Sequence, residues 1–451
     1  MSKMEHLVSS SGLRGVAMEE VTPGLFYKCG LACSSMKPGT YAVGYDVRST
    51  SPLLADAFRC GLNAGGSHTV SYGLMPTPAL AFLSRGLAGG VMITASHNPP
   101  QYNGAKIFDG RGASWKPSDY RSLVNSMKGN LQCKGWDSVG SSRHGAGLHR
   151  YLEWLSSRRA FREAWRVGLD PGNGSTCLTA PLVFETAGCR MEVINSHPDP
   201  LFKGRGSEPN EPSLSPLSAL VRSKGLDVGF AYDGDGDRFA VVDERGRCLK
   251  QDVALAFVAS AMVKDGRKDI VVNVDTSSVV DFMVENAGGR VHRAPVGDVY
   301  VLEELIRLGG PFGGETCGAW IFPDESLCPD GVLSSIIFLS LLEESGLRPS
   351  EVCSGVPVFY TERRSVPCQS SIKESLMRIV SSRAIGWFSG IAMEDLDGIR
   401  VSFADRSWVL IRPSGTEPLV RITSESRERA VAEELADRAV ALVKAAMGDI
   451  K

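Results

Sequence analysis

The sequence lacks an excess of either charge. Its 49 Lys and Arg residues meet 51 Asp and Glu, for a formal net charge of −2. Nothing in that balance draws the whole chain to nucleic acid or to an anionic membrane, and neither is expected as a partner. An anionic ligand has to be caught by local Arg and Lys side chains and by backbone amides. Clustered cysteines are lacking too. The 11 cysteines are odd in number and scattered, and no second pair at metal-ligand spacing accompanies Cys29 and Cys33. A disulfide framework or a structural zinc site is therefore not expected. Reduced, mostly buried thiols fit a cytoplasmic protein. Long apolar runs are also missing. Residues 1–21 hold no apolar core of the signal-peptide kind. The most apolar stretch, residues 332–342, is short and broken by serines, so it reads as a buried helix and not as a membrane span.

The chain does have enough length and apolar content for several cores. Its 451 residues, 43% of them hydrophobic, correspond to about three or four domains at roughly 100–200 residues each. Short Val/Ile/Ala-rich runs alternate with segments of helical periodicity. Residues 41–47 read as a strand and 52–64 as a helix, with a further strand at 90–94. A second series holds strands at 166–170 and 227–232, a third strands at 269–274 and 290–294 around a helix at 279–286. Such alternation predicts parallel, doubly wound α/β units. The C-terminal part differs, with a hairpin at 400–404 and 408–411, a strand at 419–423 and a helix at 427–447. The expected architecture is three similar doubly wound α/β domains, 1–148, 149–248 and 249–354, followed by a smaller α+β domain, 355–451.

Four loops carry candidate chemistry. The first, Thr94-Ala95-Ser96-His97-Asn98-Pro99, follows an apolar strand, and a Pro-rich loop continues to Gly104. Ligands bind at the carboxyl ends of strands in open α/β sheets, where Ser96 sits. Taken alone, Ser96 only begins a turn. The nucleophile elbow of acyl transfer is absent, because Thr94 and Asn98 stand where its glycines belong. His97 reads as a loop-positioning residue before a base. The second loop, Asp233-Gly234-Asp235-Gly236-Asp237-Arg238, alternates carboxylates with glycines that let the backbone curl around one cation. Hard oxygen ligands suit Mg²⁺ or Ca²⁺. A calcium loop of EF-hand type would use Asp233, Asp235 and Asp237 and end on Glu244. It would also need glycine where Arg238 stands and helices where strands are expected. Mg²⁺ is the better match, and Arg238 is placed to hold a phosphate beside it. The third, Gly313-Gly314-Glu315-Thr316-Cys317-Gly318, offers Gly314 backbone at close range and a Glu315 carboxylate for two sugar hydroxyls. The fourth, Arg412-Pro413-Ser414-Gly415-Thr416-Glu417-Pro418, is a phosphate nest or a plain polar hairpin loop.

In their order the four loops, with Gly12, Arg14 and Gly15 ahead of them, resemble the α-D-phosphohexomutase family of phosphoglucomutases, phosphomannomutases and phosphoglucosamine mutases. The resemblance spans nearly the whole chain. It implies four domains around a central cleft, and an isomerase that interconverts hexose 1-phosphate and 6-phosphate through a phosphoserine and a hexose 1,6-bisphosphate. It implies one Mg²⁺ per chain, held by Asp233, Asp235, Asp237 and the phosphorylated Ser96. It also implies that Arg14 and Lys106 assist proton transfer or charge stabilisation beside the serine, that Glu315 binds sugar hydroxyls, and that Arg412, Ser414, Gly415 and Thr416 grip the phosphate that does not react. Three places depart from the pattern: Ser9-Ser10-Ser11 before Gly12, Cys317 where a serine is usual, and Ala319 where a histidine is usual. The segment Pro295-Val296-Gly297-Asp298 is similar to the phosphoglucosamine and archaeal-type branches. Glucosamine phosphate is thus the expected substrate, with glucose and mannose phosphate next, and the protein a monomer or dimer. Two other readings compete: a Mg²⁺-dependent sugar phosphatase using the same serine, and a non-catalytic calcium- or carbohydrate-binding protein.

Overall fold

The computed structural model describes residues 5–157, 161–264, 266–414 and 417–450. The chain divides into two compact units. One runs up to Ala254 and includes Phe312–Val352; the other joins Leu255–Pro311 to the chain from Cys353 onward.

In the first unit a seven-stranded sheet has the order Val8–Ser9, Gly12–Val16, Tyr102–Asp109, Gly89–Ile93, Thr40–Tyr45, His68–Leu74, Ser142–His144. Its centre is parallel, but Tyr102–Asp109 runs antiparallel to both of its neighbours. The sheet is therefore mixed, where the alternation of elements predicted a parallel one. Tyr102–Gly104, expected within a loop, opens this reversed strand. The register sets Arg14 opposite Gly104, two residues from Lys106. Direct partners and i, i+2 neighbours share a face, so both cations lie on one side of the sheet. In a second sheet, Phe239–Asp243, Val228–Tyr232, Arg166–Asp170, Arg190–Val193, Phe239–Asp243 is the antiparallel member.

The helix Gly331–Ser345 is buried from Gly331 to Leu342. A helix apolar on all sides has no solvent face to offer, which bears out the reading of residues 332–342 as a buried helix. No described helix is long and apolar enough to cross a membrane.

The second unit holds the parallel pair Asp269–Asn273 and Arg290–Ala294. It also holds a five-stranded antiparallel sheet in the order Tyr360–Pro367, Leu419–Ser426, Trp408–Pro413, Ile399–Ser402, Ala392–Asp395. One face of that sheet, with Val409, Ile411, Val420 and Ile422, packs on Leu376 and Val380 of helix Lys373–Phe388 and on Leu435 and Leu442 of helix Arg429–Gly448.

Candidate active site

Ser96 lies three residues beyond the strand Gly89–Ile93, with 1% of its surface exposed. Its φ of 50° places a non-glycine residue in the left-handed region, a conformation that persists only where surroundings over-determine it. Those surroundings are visible. The Ser96 amide donates to Thr94 Oγ1 at 2.9 Å. Its hydroxyl donates to Asp233 Oδ2 at 2.6 Å. Its carbonyl accepts from Arg48 Nη2 at 2.7 Å.

The aspartate loop follows Val228–Tyr232, so its carboxylates sit at a strand's carboxyl end. Asp233, Asp235 and Asp237 are all buried, and a set of their oxygens lies within 4.8 Å of one another. Asp233 Oδ1 accepts the amides of Gly236 and Arg238 at 3.0 and 3.1 Å. Thr77 donates to Asp235 Oδ2 at 2.6 Å, and Lys106 Nζ donates to Asp237 Oδ2 at 3.1 Å. Burial, then repulsion from its neighbours, pushes Asp233 and Asp235 above the usual carboxylate range. Burial acts the same way on Asp237, but Lys106, Arg238 and Arg14 outweigh it and hold that group low.

These residues fit a divalent cation. Asp235 Oδ1 and Asp237 Oδ1 are buried and accept no hydrogen bond from the described residues, although Arg238 Nε lies 4.0 Å from the latter; such oxygens are costly unless a cation faces them. Three carboxylates with no nitrogen or sulfur donor suit Mg²⁺. The EF-hand alternative fails locally. The loop is flanked by strands, and Glu244 is engaged with Ser350 instead.

Arg14 is half-buried. Burial lowers the pKa of its guanidinium, while Asp235 and Asp237 pull the other way. Gly104 makes room for it, since a Cβ there would stand 2.9 Å from Arg14 Cγ. His97 Nδ1 lies 3.4 Å from Ser96 Oγ. Burial, then the charges of Arg238 and Arg14, depresses His97 to about 2, so its ring is neutral at working pH.

The Glu315 loop belongs to the same unit and tops a hairpin of Phe312–Gly314 with Trp320–Ile321. Glu315 is 7% exposed, and its loop is closed by Glu315 N to Ala319 O at 3.0 Å and Gly318 N to Glu315 O at 3.1 Å. The loop is docked on the residue after Arg238: Phe239 N donates to Gly318 O at 3.3 Å. Trp320 packs edge-on against the Phe239 ring at 4.6 Å between centroids. Arg238 feels both loops. Burial works against its charge, but Cys317, Asp237, Asp233 and Glu315 together raise its pKa. The Cys317 thiol is pushed up to about 12, mainly by burial, which makes it unreactive.

Arg412 and Ser414 lie in the second unit, where the strand Trp408–Pro413 ends. Arg412 Nη1 donates to Asp397 at 2.9 Å, and Ser414 Oγ accepts from Glu417 N at 3.2 Å. Gly415 and Thr416, assigned to the same loop, lie outside the described residues.

Sequence reading missed several residues. Arg48, paired with Asp46 at 3.0 Å, fastens the Ser96 loop. Thr94 Oγ1 bridges 2.8 Å to Asp46 and 3.1 Å to Asp235. Lys373 Nζ donates to the carbonyls of Ser414 and Glu417 at 2.5 Å each. The signal available for the first was an Asp-x-Arg at the end of an apolar strand.

The sequence matches four family descriptions in succession. These are phosphoglucomutase/phosphomannomutase alpha/beta/alpha domain I at residues 5–132, domain II at 149–246, domain III at 250–359, and the C-terminal domain at 387–442. The chain belongs to the phosphoglucomutase/phosphomannomutase family, and it is a phosphohexomutase, an isomerase. A protein of Pyrococcus horikoshii named "Probable phosphoglucosamine mutase" is 37% identical over 99% of this chain and 100% of its own length. Among solved structures, a phosphoglucomutase/phosphomannomutase family protein from Burkholderia thailandensis aligns with a TM-score of 0.89 at 24% identity, covering 100% of this chain and 99% of its own. The N-acetylphosphoglucosamine mutase of Aspergillus fumigatus, solved with GlcNAc-6P and magnesium, aligns at 0.62 and 13%, covering 98% and 96%.

Proposed function

We propose that the enzyme interconverts glucosamine 1-phosphate and glucosamine 6-phosphate through a phosphorylated Ser96. The observation that carries the mechanism is the Ser96 hydroxyl held 2.6 Å from Asp233, in the one buried carboxylate cluster among the described residues. The substrate follows from the relative in Pyrococcus horikoshii, which is named for it and matches end to end. Glucose and mannose phosphates are the next candidates.

Asp233, Asp235, Asp237 and the phosphorylated Ser96 would hold Mg²⁺, one per chain. When bound, it offsets charge on the transferring oxygens. The protein's own groups do the rest. Arg14 and Lys106, on one side of the sheet, add positive charge where the phosphoryl oxygens develop negative charge. Lys106, bonded to Asp237, is assigned to assist proton transfer or to stabilise charge. His97, being neutral, positions the loop. Arg238, Gly314, Glu315 and the Cys317 turn receive the sugar. Arg412, Ser414, Gly415 and Thr416 hold the unreactive phosphate. A hexose 1,6-bisphosphate forms when Ser96 gives its phosphoryl group to the free hydroxyl. It turns over and returns its other phosphate to Ser96. The four domains bounded near residues 148, 248 and 354 supply one loop each. The enzyme works on a diffusible substrate in the cytoplasm, with no nucleic acid or membrane.

The test is a coupled assay of glucosamine, glucose and mannose 1-phosphates with Mg²⁺ and a trace of bisphosphate, in wild type and Ser96→Ala. Glucosamine 1-phosphate should turn over fastest, and the variant should fall at least about a thousandfold, as loss of a covalent nucleophile does. Release of inorganic phosphate alone would establish a phosphatase instead.

A further inference from the structure

One face of the five-stranded sheet in the second unit is covered by helices; the other carries arginines. Cross-strand partners share a face. Arg412, Arg421 and Ser365 therefore form one row and Leu410, Thr423 and Arg363 the next. A cavity of about 130 Å³ lies over these rows, and Asp275 also lines it. Arg412 and Arg421 stand directly opposite each other, like charges that repel unless an anion joins them. Each also pairs with a carboxylate, Arg412 with Asp397 and Arg421 with Glu417.

Asp275 Oδ1 is buried and accepts no hydrogen bond from the described residues, although arginines line the same cavity. Its segment is firmly anchored. The Ser278 amide donates to Glu425 at 2.8 Å, and Arg400 Nη1 donates to the Val274 carbonyl. Arg293 Nη1 reaches the Thr276 carbonyl at 3.3 Å, and Val274 packs with Trp408 and Leu410. An acceptor fixed in this way, beside a cluster of cations, calls for a ligand that is anionic at one atom and a donor close by.

We propose that Asp275 accepts a hydrogen bond from the 2-ammonium group of a 2-amino-hexose 1-phosphate whose phosphate lies at Arg412 and Arg421. This inference rests on the mutase reading and specifies how its substrate is chosen. In the 1-phosphate the amino carbon is the ring neighbour of the phosphorylated carbon. In the 6-phosphate, with its phosphate in the same place, the amino group is across the ring and the 4-hydroxyl is nearest. Asp275 thus meets the ammonium in one of the two poses. Sugars with a neutral 2-hydroxyl give it an ordinary, weaker hydrogen bond.

Calorimetric binding to Ser96→Ala protein, with and without Asp275→Asn, reads this without turnover. The added change should weaken glucosamine 1-phosphate about tenfold or more, the size of a lost charge-assisted bond. Glucose 1-phosphate and glucosamine 6-phosphate should move less than about threefold. If all three weaken in parallel, or none does, Asp275 does not read the amine and the proposal is overturned. Asp275→Ser, which removes the carboxylate with less bulk, must give the same pattern at an unchanged melting midpoint. Absence of turnover by the unaltered enzyme would sink the mutase reading separately.

Discussion

Arg48 is buried with no exposed side-chain surface, and each N–H of its guanidinium meets an acceptor. Nε donates to Asp46, Nη1 to the carbonyls of Pro99 and Tyr102, and Nη2 to those of Ser96 and Asn98. The ring of Phe202 stacks on it at 5.1 Å. Five donors in a fixed planar fork are what only arginine supplies. Arg48→Met would leave Asp46 buried without its counter-charge, at a cost of about 3–5 kcal/mol. A urea titration should show a large drop in midpoint; an unchanged midpoint would mean the loop is held by other contacts. At this scale the sequence was legible where chemistry is local. Asp233, Asp235 and Asp237 converge because glycines separate them, and Ser96 ends a strand. Beyond the local Asp46-x-Arg48 pair, the contacts of Arg48 and Thr77 with the site were not legible, because those partners lie 48 residues away at Ser96 and 158 away at Asp235. No short spacing encodes such a contact.

Among elements, the hairpin around Glu315 shows how a loop is aimed. Gly318 has φ +87°, and a Cβ there would stand 2.1 Å from the Phe239 carbonyl oxygen. Gly318→Ala must therefore push the loop off the strand that follows Arg238. We expect kcat/KM to fall about a hundredfold, as a misplacement of about 1 Å does, while Mn²⁺ affinity at the aspartates stays within about twofold. Equal activity would show that Glu315 needs no such support. Arg166–Asp170, buried after its first residue, was read to the residue, and so was the mostly half-buried Arg290–Ala294. Tyr360–Pro367 was not read at all. It is an edge strand whose residues alternate half-buried and exposed without an apolar alternation, and its register comes from Leu419–Ser426. The reversal of Tyr102–Asp109 was likewise hidden, since a run of strand-forming residues does not state its direction.

For the molecule as a whole, near-neutral net charge conceals sharp local fields. Three carboxylates with two unbonded buried oxygens stand in the first unit, and an arginine-faced cavity stands in the second. A cation that binds the native carboxylates and not the unfolded chain stabilises the protein by mass action. Mg²⁺ at about 100 times its Kd should add about 2.7 kcal/mol. Scanning calorimetry should show a rise in midpoint that chelator reverses and Asp235→Asn removes. A midpoint indifferent to Mg²⁺ would argue against the aspartate site.

The bond from Ser96 to Asp233 also bears on the order in which the protein is made. It joins residues 137 apart, and closing so long a loop comes late relative to local structure. During synthesis, which proceeds from the N-terminus, the serine emerges well before the carboxylates that orient it. Until residue 237 has left the ribosome, Ser96 is an ordinary hydroxyl. Only the finished first unit can turn it into a place to carry phosphate, so a truncated chain carries the serine without the chemistry.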